Sequence, residues 1–193
     1  MSAPAEPADP AISGAEAAAL RFAERMPEST RRRELVWQDP LASAAEGAAV
    51  SGIDYMRALR DMEIPPPPIA VTMGFSPVEI EEGRVAFSGT PGEEHYNPIG
   101  VVHGGWASTL LDSALGCAVH TTLPQGAAYT SLTLEVKFVR PITRDTGAVR
   151  AEAEVIHRGR RQATAEARLV AESTGKLLAH GTSTCLIMEA RPD

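Results

Sequence analysis

The run Asn97-Pro98-Ile99-Gly100-Val101-Val102-His103-Gly104-Gly105 leads into a small-residue apolar stretch that carries a single acid, Asp112. Two adjacent glycines at a helix start leave backbone N–H groups uncovered by side chains. Those groups lack intrahelical partners and lie at the positive end of the helix dipole, which suits a developing oxyanion. A carboxylate further along the same helix supplies the other half of an acyl-transfer site, as base or nucleophile. Asp112 has no Lys or Arg three or four residues away in either direction, so no local ion pair accounts for it. The plainer reading is an acid at a helix edge bonded to backbone or water.

The helix itself follows from period. Trp106, Leu110 and Cys117, with Ala107, Leu111, Ala114, Leu115 and Ala118, recur at three- and four-residue spacing, and Pro124 marks the far end. Ser108, Thr109, Asp112, Ser113 and Gly116 form a narrower strip of small or polar groups. Gly104 and Asp112 are eight residues apart, hence about 12 Å along the axis and roughly 80° around it. One helix cannot bring both to the same carbonyl carbon. Two antiparallel copies across a twofold axis can, so the spacing predicts a homodimer that takes Gly104 from one chain and Asp112 from the other.

The pattern Asn97, His103-Gly104-Gly105 and Asp112 resembles the PaaI-like branch of the hotdog-fold acyl-CoA thioesterases, over residues 69–188. The resemblance implies an α+β fold in which a long central helix is wrapped by an antiparallel sheet of five or six strands. It also implies dimers or dimers of dimers and hydrolysis of acyl-CoA without a metal or other cofactor. By the same resemblance Asp112 is the base or nucleophile and Gly104 donates its N–H to the thioester oxygen. Asn97 positions the carbonyl or the water, and Ser131 on the following strand assists. Some members carry a hydroxyl one turn after the acid; here that position is Gly116, so the contact is absent or supplied elsewhere.

The remaining chemistry-bearing residues fall into place around this motif. His103, just ahead of the glycines, suits holding the loop and capping the helix, with proton transfer as the rival role. Gly105 is read as a substrate contact. Asn97 before Pro98 is equally a turn residue. Ser131 has a parity problem: regular alternation puts it opposite Leu132 and Leu134, so only an irregular strand start or a site at a dimer edge brings it to the helix. The basic turn with Arg158, Arg160 and Arg161, and Arg140 before Pro141, are candidates for the coenzyme A phosphates, although exposed turns often carry such charges. Trp106, Leu110, Met73 and Phe75 are candidates for either an acyl pocket or the core. No metal-ligand spacing, Gly-x-Ser-x-Gly elbow or phosphate-binding glycine loop is present.

Elements must position these residues. Strands are expected at 71–80, 84–88, 129–139, 148–157, 162–172 and 176–188, separated by turn chemistry such as Asp145-Thr146-Gly147 and Arg158-Gly159-Arg160. Leu132, Leu134, Val136 and Phe138 alternate with Thr133, Glu135 and Lys137, and Ala163, Ala165 and Ala167 alternate with polar residues, so a helix can approach closely. Upstream, residues 1–30 are rich in Ala, Pro and Glu and are expected to be disordered; 15–26 has the makings of a short helix but lacks a sustained apolar face to hold it. Residues 31–68 read as an extension: a helix starting at Asp39-Pro40, a second over 53–62, and the strap Pro65-Pro66-Pro67-Pro68 in polyproline geometry. The hotdog domain then spans 69–190.

Bulk properties bound the function. The chain has 193 residues, is 44% hydrophobic and carries a formal charge of −7, which excludes an overall nucleic-acid surface. Only 5% of residues are aromatic, so the core must be aliphatic and alanine-rich. Two cysteines cannot form a disulfide framework. No stretch has transmembrane length, and the start Met1-Ser2-Ala3-Pro4-Ala5-Glu6 has neither a basic nor an apolar leader region, which predicts a cytoplasmic protein without membrane contact. Two rival functions remain at this level. A hotdog-type acyl-CoA hydratase or dehydratase needs a His and an acid together, and a non-catalytic acyl-CoA-binding regulator is expected to carry a DNA-binding helix pair, which residues 1–68 do not show.

Overall fold

The computed structural model describes residues 13–25 and 29–188. The chain divides into two compact units, Met1–Glu34 and Leu35–Asp193. In the first, α1 (Gly14–Ala23) is closed by a capping box between Ser13 and Glu16 and buries no side chain. Met26, the expected end of that helix, lies outside the described residues, as do the first twelve residues, for which disorder is expected, and 189–190 of the expected domain.

In the second unit, α2 (Pro40–Ala48) starts at Asp39, whose carboxylate accepts the Leu41 N–H, with Pro40 at the first helical position. The helix α3 (Gly52–Arg60) is capped by Ser51 and buries Met56 and Leu59. The proline run does more than end it. Pro67 is extended and caps α4 (Pro68–Met73), in which Pro68 is preset for the first helical turn, and Gly74 at φ 68° closes the helix. The strand expected from residue 71 therefore begins only at Phe75. Proline chemistry and a left-handed glycine outweigh the apolar pattern over 71–73.

Six strands follow: β1 (Phe75–Glu81), β2 (Arg84–Gly89), β3 (Ala128–Phe138), β4 (Val149–Arg158), β5 (Gln162–Ala171) and β6 (Leu177–Met188). They form one antiparallel sheet in the order β1-β2-β4-β5-β6-β3. The long helix α5 (Gly104–His120) lies against its inner face, as the resemblance implies. Ala151, Ala153, Ala163, Ala165 and Ala167 are buried beneath α5, and these small residues let the helix backbone approach the sheet. Trp106, Leu110, Leu111, Ala114, Leu115 and Ala118 complete the core from the helix side. Met56, Leu59 and Ala70, from upstream of the strands, belong to the same core.

On the edge strand β3 the register shifts between Ser131 and Thr133, a β-bulge centred on Leu132. Simple alternation over 132–138 therefore fails at its first residue. Ser131 pairs with buried Cys185 and Leu134 with buried Ser183, so Ser131 shares the helix-facing side with Leu134, Val136 and Phe138. The bulge removes the parity problem.

Candidate functional site

The loop before α5 is held by its own polar groups. Asn97 Oδ1 accepts the N–H groups of Ile99 at 3.1 Å and Val101 at 3.3 Å, and the Gly100 N–H bonds to the Asn97 carbonyl. Gly100 sits at φ 80°, which only glycine adopts without cost. Asn97 is thus the turn residue its position before Pro98 predicts. Its amide N–H groups have no partner among the described residues and remain donors.

His103 caps α5: its Nδ1 accepts the Gly105 N–H at 2.8 Å, while its own N–H bonds to the His95 carbonyl. A backbone N–H can only donate, so Nδ1 is the acceptor and the neutral ring carries its proton on Nε2. In that tautomer His103 offers a donor and no free base. Gly105, expected to contact substrate, has its N–H engaged by this cap. The Gly104 N–H, at the first helical position, has no intrahelical acceptor. A Cβ on Gly104 would lie 2.9 Å from the tip of the exposed Phe138 ring, so β3 approaches the helix start closely and a larger residue there must displace that ring.

Eight residues along α5, the Ser131 hydroxyl donates to Asp112 Oδ1 at 3.1 Å. No cation contacts Asp112 among the described residues, and its Oδ2 is left for other partners. One turn on, a Cβ at Gly116 would sit 2.7 Å from the Tyr129 hydroxyl oxygen. A phenol from β3 therefore fills the place in which a hydroxyl one turn after the acid would stand. Burial and the neighbouring Cys117 hold the Tyr129 phenol well above its usual pKa, so it stays protonated. Burial likewise raises the Cys117 thiol to about 12, and it is no nucleophile near neutral pH.

Gly104 and Asp112 open into different cavities. Gly104 and His103 line a groove of about 460 Å³ with Phe138, Arg140 and Ala179. Asp112 and Ser131 line a separate cavity of about 390 Å³ with Tyr129, Tyr55 and Phe75. Of the apolar candidates, only Phe75 lines the latter. Trp106 and Leu110 are core, and Trp106 Nε1 donates to the Met73 carbonyl at 2.8 Å, fixing the end of α4. Tyr129 and Tyr55 were not singled out by sequence. Gly116 beside the acid is the signal for Tyr129, and the Ile53–Met56–Leu59 period points to α3 but not to Tyr55.

The arginines lie at two ends of the sheet. Arg140 is exposed beside the Gly104 groove and donates to the Leu177 carbonyl at 2.7 Å. Arg158, Arg160 and Arg161 are exposed on the β4–β5 turn, where the Arg161 carbonyl accepts the N–H of Ile187, the residue paired with Tyr129. That turn thus lies at the Ser131 end. Among the described residues no group of His, Cys, Asp or Glu side chains is arranged to hold a metal ion.

A model of the thioesterase superfamily matches residues 99–178. Human acyl-coenzyme A thioesterase 13 is 32% identical over 107 residues, which is 55% of this chain and 75% of that one. A phenylacetic acid degradation-related protein from Ralstonia eutropha JMP134 superposes with a TM-score of 0.62 at 30% identity, over 68% of this chain and 98% of that one. The E. coli PaaI protein of the phenylacetic acid degradation operon shares the fold, with a TM-score of 0.62 at 21% identity over 73% of this chain and 97% of that one.

Proposed function

The chain belongs to the thioesterase superfamily, in its hotdog-fold, PaaI-like branch, and from that premise we propose that it hydrolyses acyl-CoA to a carboxylic acid and coenzyme A as a homodimer with shared active sites. The observation that carries the shared site is the separation of Gly104 and Asp112 into two cavities of one protomer. The edge strand β3 supports it, because its outer ladder is unpaired and its apolar side chains are exposed. A twofold axis perpendicular to β3 would pair the two copies antiparallel and lay the Gly104 end of one chain over the Asp112–Ser131 end of the other.

In the reaction, the Ser131 hydroxyl fixes Asp112 through Oδ1 and leaves Oδ2 for chemistry. As a base, Oδ2 takes a proton from water while the water oxygen adds to the thioester carbon. As a nucleophile, Oδ2 adds to that carbon itself, and water then opens the mixed anhydride. Either way the carbonyl oxygen becomes an oxyanion that accepts the Gly104 N–H of the other protomer. Collapse breaks the C–S bond; the leaving sulfur is protonated by Asp112 in the base route and by water in the nucleophile route. Asn97 donates its amide N–H to the carbonyl or the water, Tyr129 takes the place left by Gly116, and His103 holds the helix start.

The same twofold places Arg140 of one chain near the 158–161 turn of the other, although within one chain β3 separates them by about 33 Å. These arginines are assigned to the coenzyme A phosphates. A hydratase reading is disfavoured by His103, whose acceptor nitrogen is engaged by Gly105. The direct test is release of free thiol from a panel of acyl-CoA thioesters. Stoichiometric thiol and acid are expected, whereas hydration of an enoyl group without thiol release would overturn the reading.

A further inference from the structure

The cavity that holds Asp112 and Ser131 takes much of its wall from upstream of the sheet. Tyr55, Met56 and Leu59 of α3 line it together with Phe75 and Phe87. The position of α3 is fixed by one close approach. The Gly52 N–H bonds to the Leu123 carbonyl at 3.0 Å, and a Cβ on Gly52 would fall 1.8 Å from the His120 carbonyl oxygen, so only glycine lets this helix start abut the end of α5. From there the Tyr55 ring packs at a tilt against His120, and His120 against Tyr129, each with ring centroids 5.4 Å apart.

The cavity therefore runs along α5 from the Asp112 carboxylate to this cluster of rings. Asp112 and His120 are eight helical residues apart, about 12 Å of rise. A volume of about 390 Å³ has room for roughly a dozen methylene-sized groups at ~30 Å³ each. Among the described residues no Lys or Arg lines it. His120 at its far end is kept neutral by burial, which lowers its pKa. An acyl group with a terminal carboxylate would be buried in this cavity without a counter-charge.

We propose that α3 gauges the acyl group: Tyr55, Met56 and Leu59 limit how far an uncharged chain can run from Asp112 along α5, with a ceiling of roughly twelve carbons. The inference rests on the thioester-hydrolysis reading and adds the substrate class to it.

The experiment is kcat/KM of the full-length protein on saturated acyl-CoAs from acetyl to palmitoyl, with glutaryl-CoA set against the neutral pentanoyl-CoA. Activity should rise with length and break near twelve carbons, and glutaryl-CoA should be at least ~10-fold poorer than pentanoyl-CoA. Tyr55→Ala and Met56→Ala should move the break to longer chains, and Leu59→Phe to shorter ones. Met56 is fully buried, so the readout is the ratio of long-chain to short-chain kcat/KM, which loss of folded protein does not move. Half-exposed Tyr55 supplies a variant that keeps the core intact. Normal hydrolysis with ratios unchanged in all three variants overturns the gauge and leaves the hydrolysis reading standing. Failure of the wild type to release thiol from any acyl-CoA overturns the hydrolysis reading itself.

Discussion

The two flanks of α5 are built on opposite plans. Toward β4 and β5 the helix rests on buried alanines, and every apolar side chain it presents there is covered. Toward β3 the strand carries side chains just as apolar, yet Leu132 is 50% exposed, Leu134 40% and Phe138 58%. The covered flank carries none of the reactive groups. The uncovered one carries Asp112, Ser131, Tyr129 and, at its far end, Gly104. Stability and chemistry are thus segregated across one helix, and in the proposed homodimer the reactive flank is the half of a surface that a second copy would complete. An exposed apolar edge of this size would be an aggregation hazard unless a partner covers it.

The contrast is sharpest at Asp112. Asp112→Asn keeps the size and the hydrogen bond from Ser131 but removes the charge, so the fold should hold while kcat falls by at least ~100-fold. Steady-state kinetics with a melting curve checks this, and a folded variant with near-normal kcat would move the chemistry elsewhere. Next comes the exposed strand. Leu134→Glu puts a charge where the second copy should pack, so the protein should become monomeric by light scattering and lose ~10-fold or more in activity. A fully active monomer would break the comparison.

Smaller effects are expected away from the reacting atoms. Alanine at Arg158 or Arg161 should raise KM for acyl-CoA up to ~5-fold each, the range of an exposed charge contact, and leave small thioesters without the nucleotide unaffected. Equal effects on both substrate types would reduce the turn to a solvated surface. On the covered flank, Ala165→Leu should cost about 1–3 kcal/mol by overpacking. That lowers Tm by about 2–4 °C per kcal/mol, and kcat per folded protein should stay unchanged.

Much of this was legible in the sequence, and the reasons are physical. Period and turn chemistry gave α5, although it ends at His120, four residues before Pro124, and five of the six strands to within a residue or two, because buried faces impose their spacing directly. Gly104-Gly105 and His103 were readable because a helix start has few chemical solutions. The early end of the 71–80 strand was not, since Pro67-Pro68 and Gly74 compete with an apolar run that suits either helix or strand. Neither was the face of Ser131. A bulge leaves no mark in the hydrophobic alternation, although the parity conflict itself showed that something irregular was needed. Tyr55 escaped notice because its significance lies in a long-range contact with His120, which no local pattern encodes.

The central claim, that each site draws on both chains, can be tested by complementation. Gly104→Pro removes the proposed oxyanion donor at the first helical position, where proline is tolerated and no helix hydrogen bond is lost. Alone, Gly104→Pro and Asp112→Asn should each be nearly inactive. When the two are unfolded and refolded together at equal amounts, half of the dimers pair one chain of each kind, and each such dimer holds one site with an intact Gly104 and an intact Asp112. About a quarter of wild-type activity should return, as random pairing of two chains requires. A mixture that pairs but stays inactive would contradict the shared site and place both groups within a single chain.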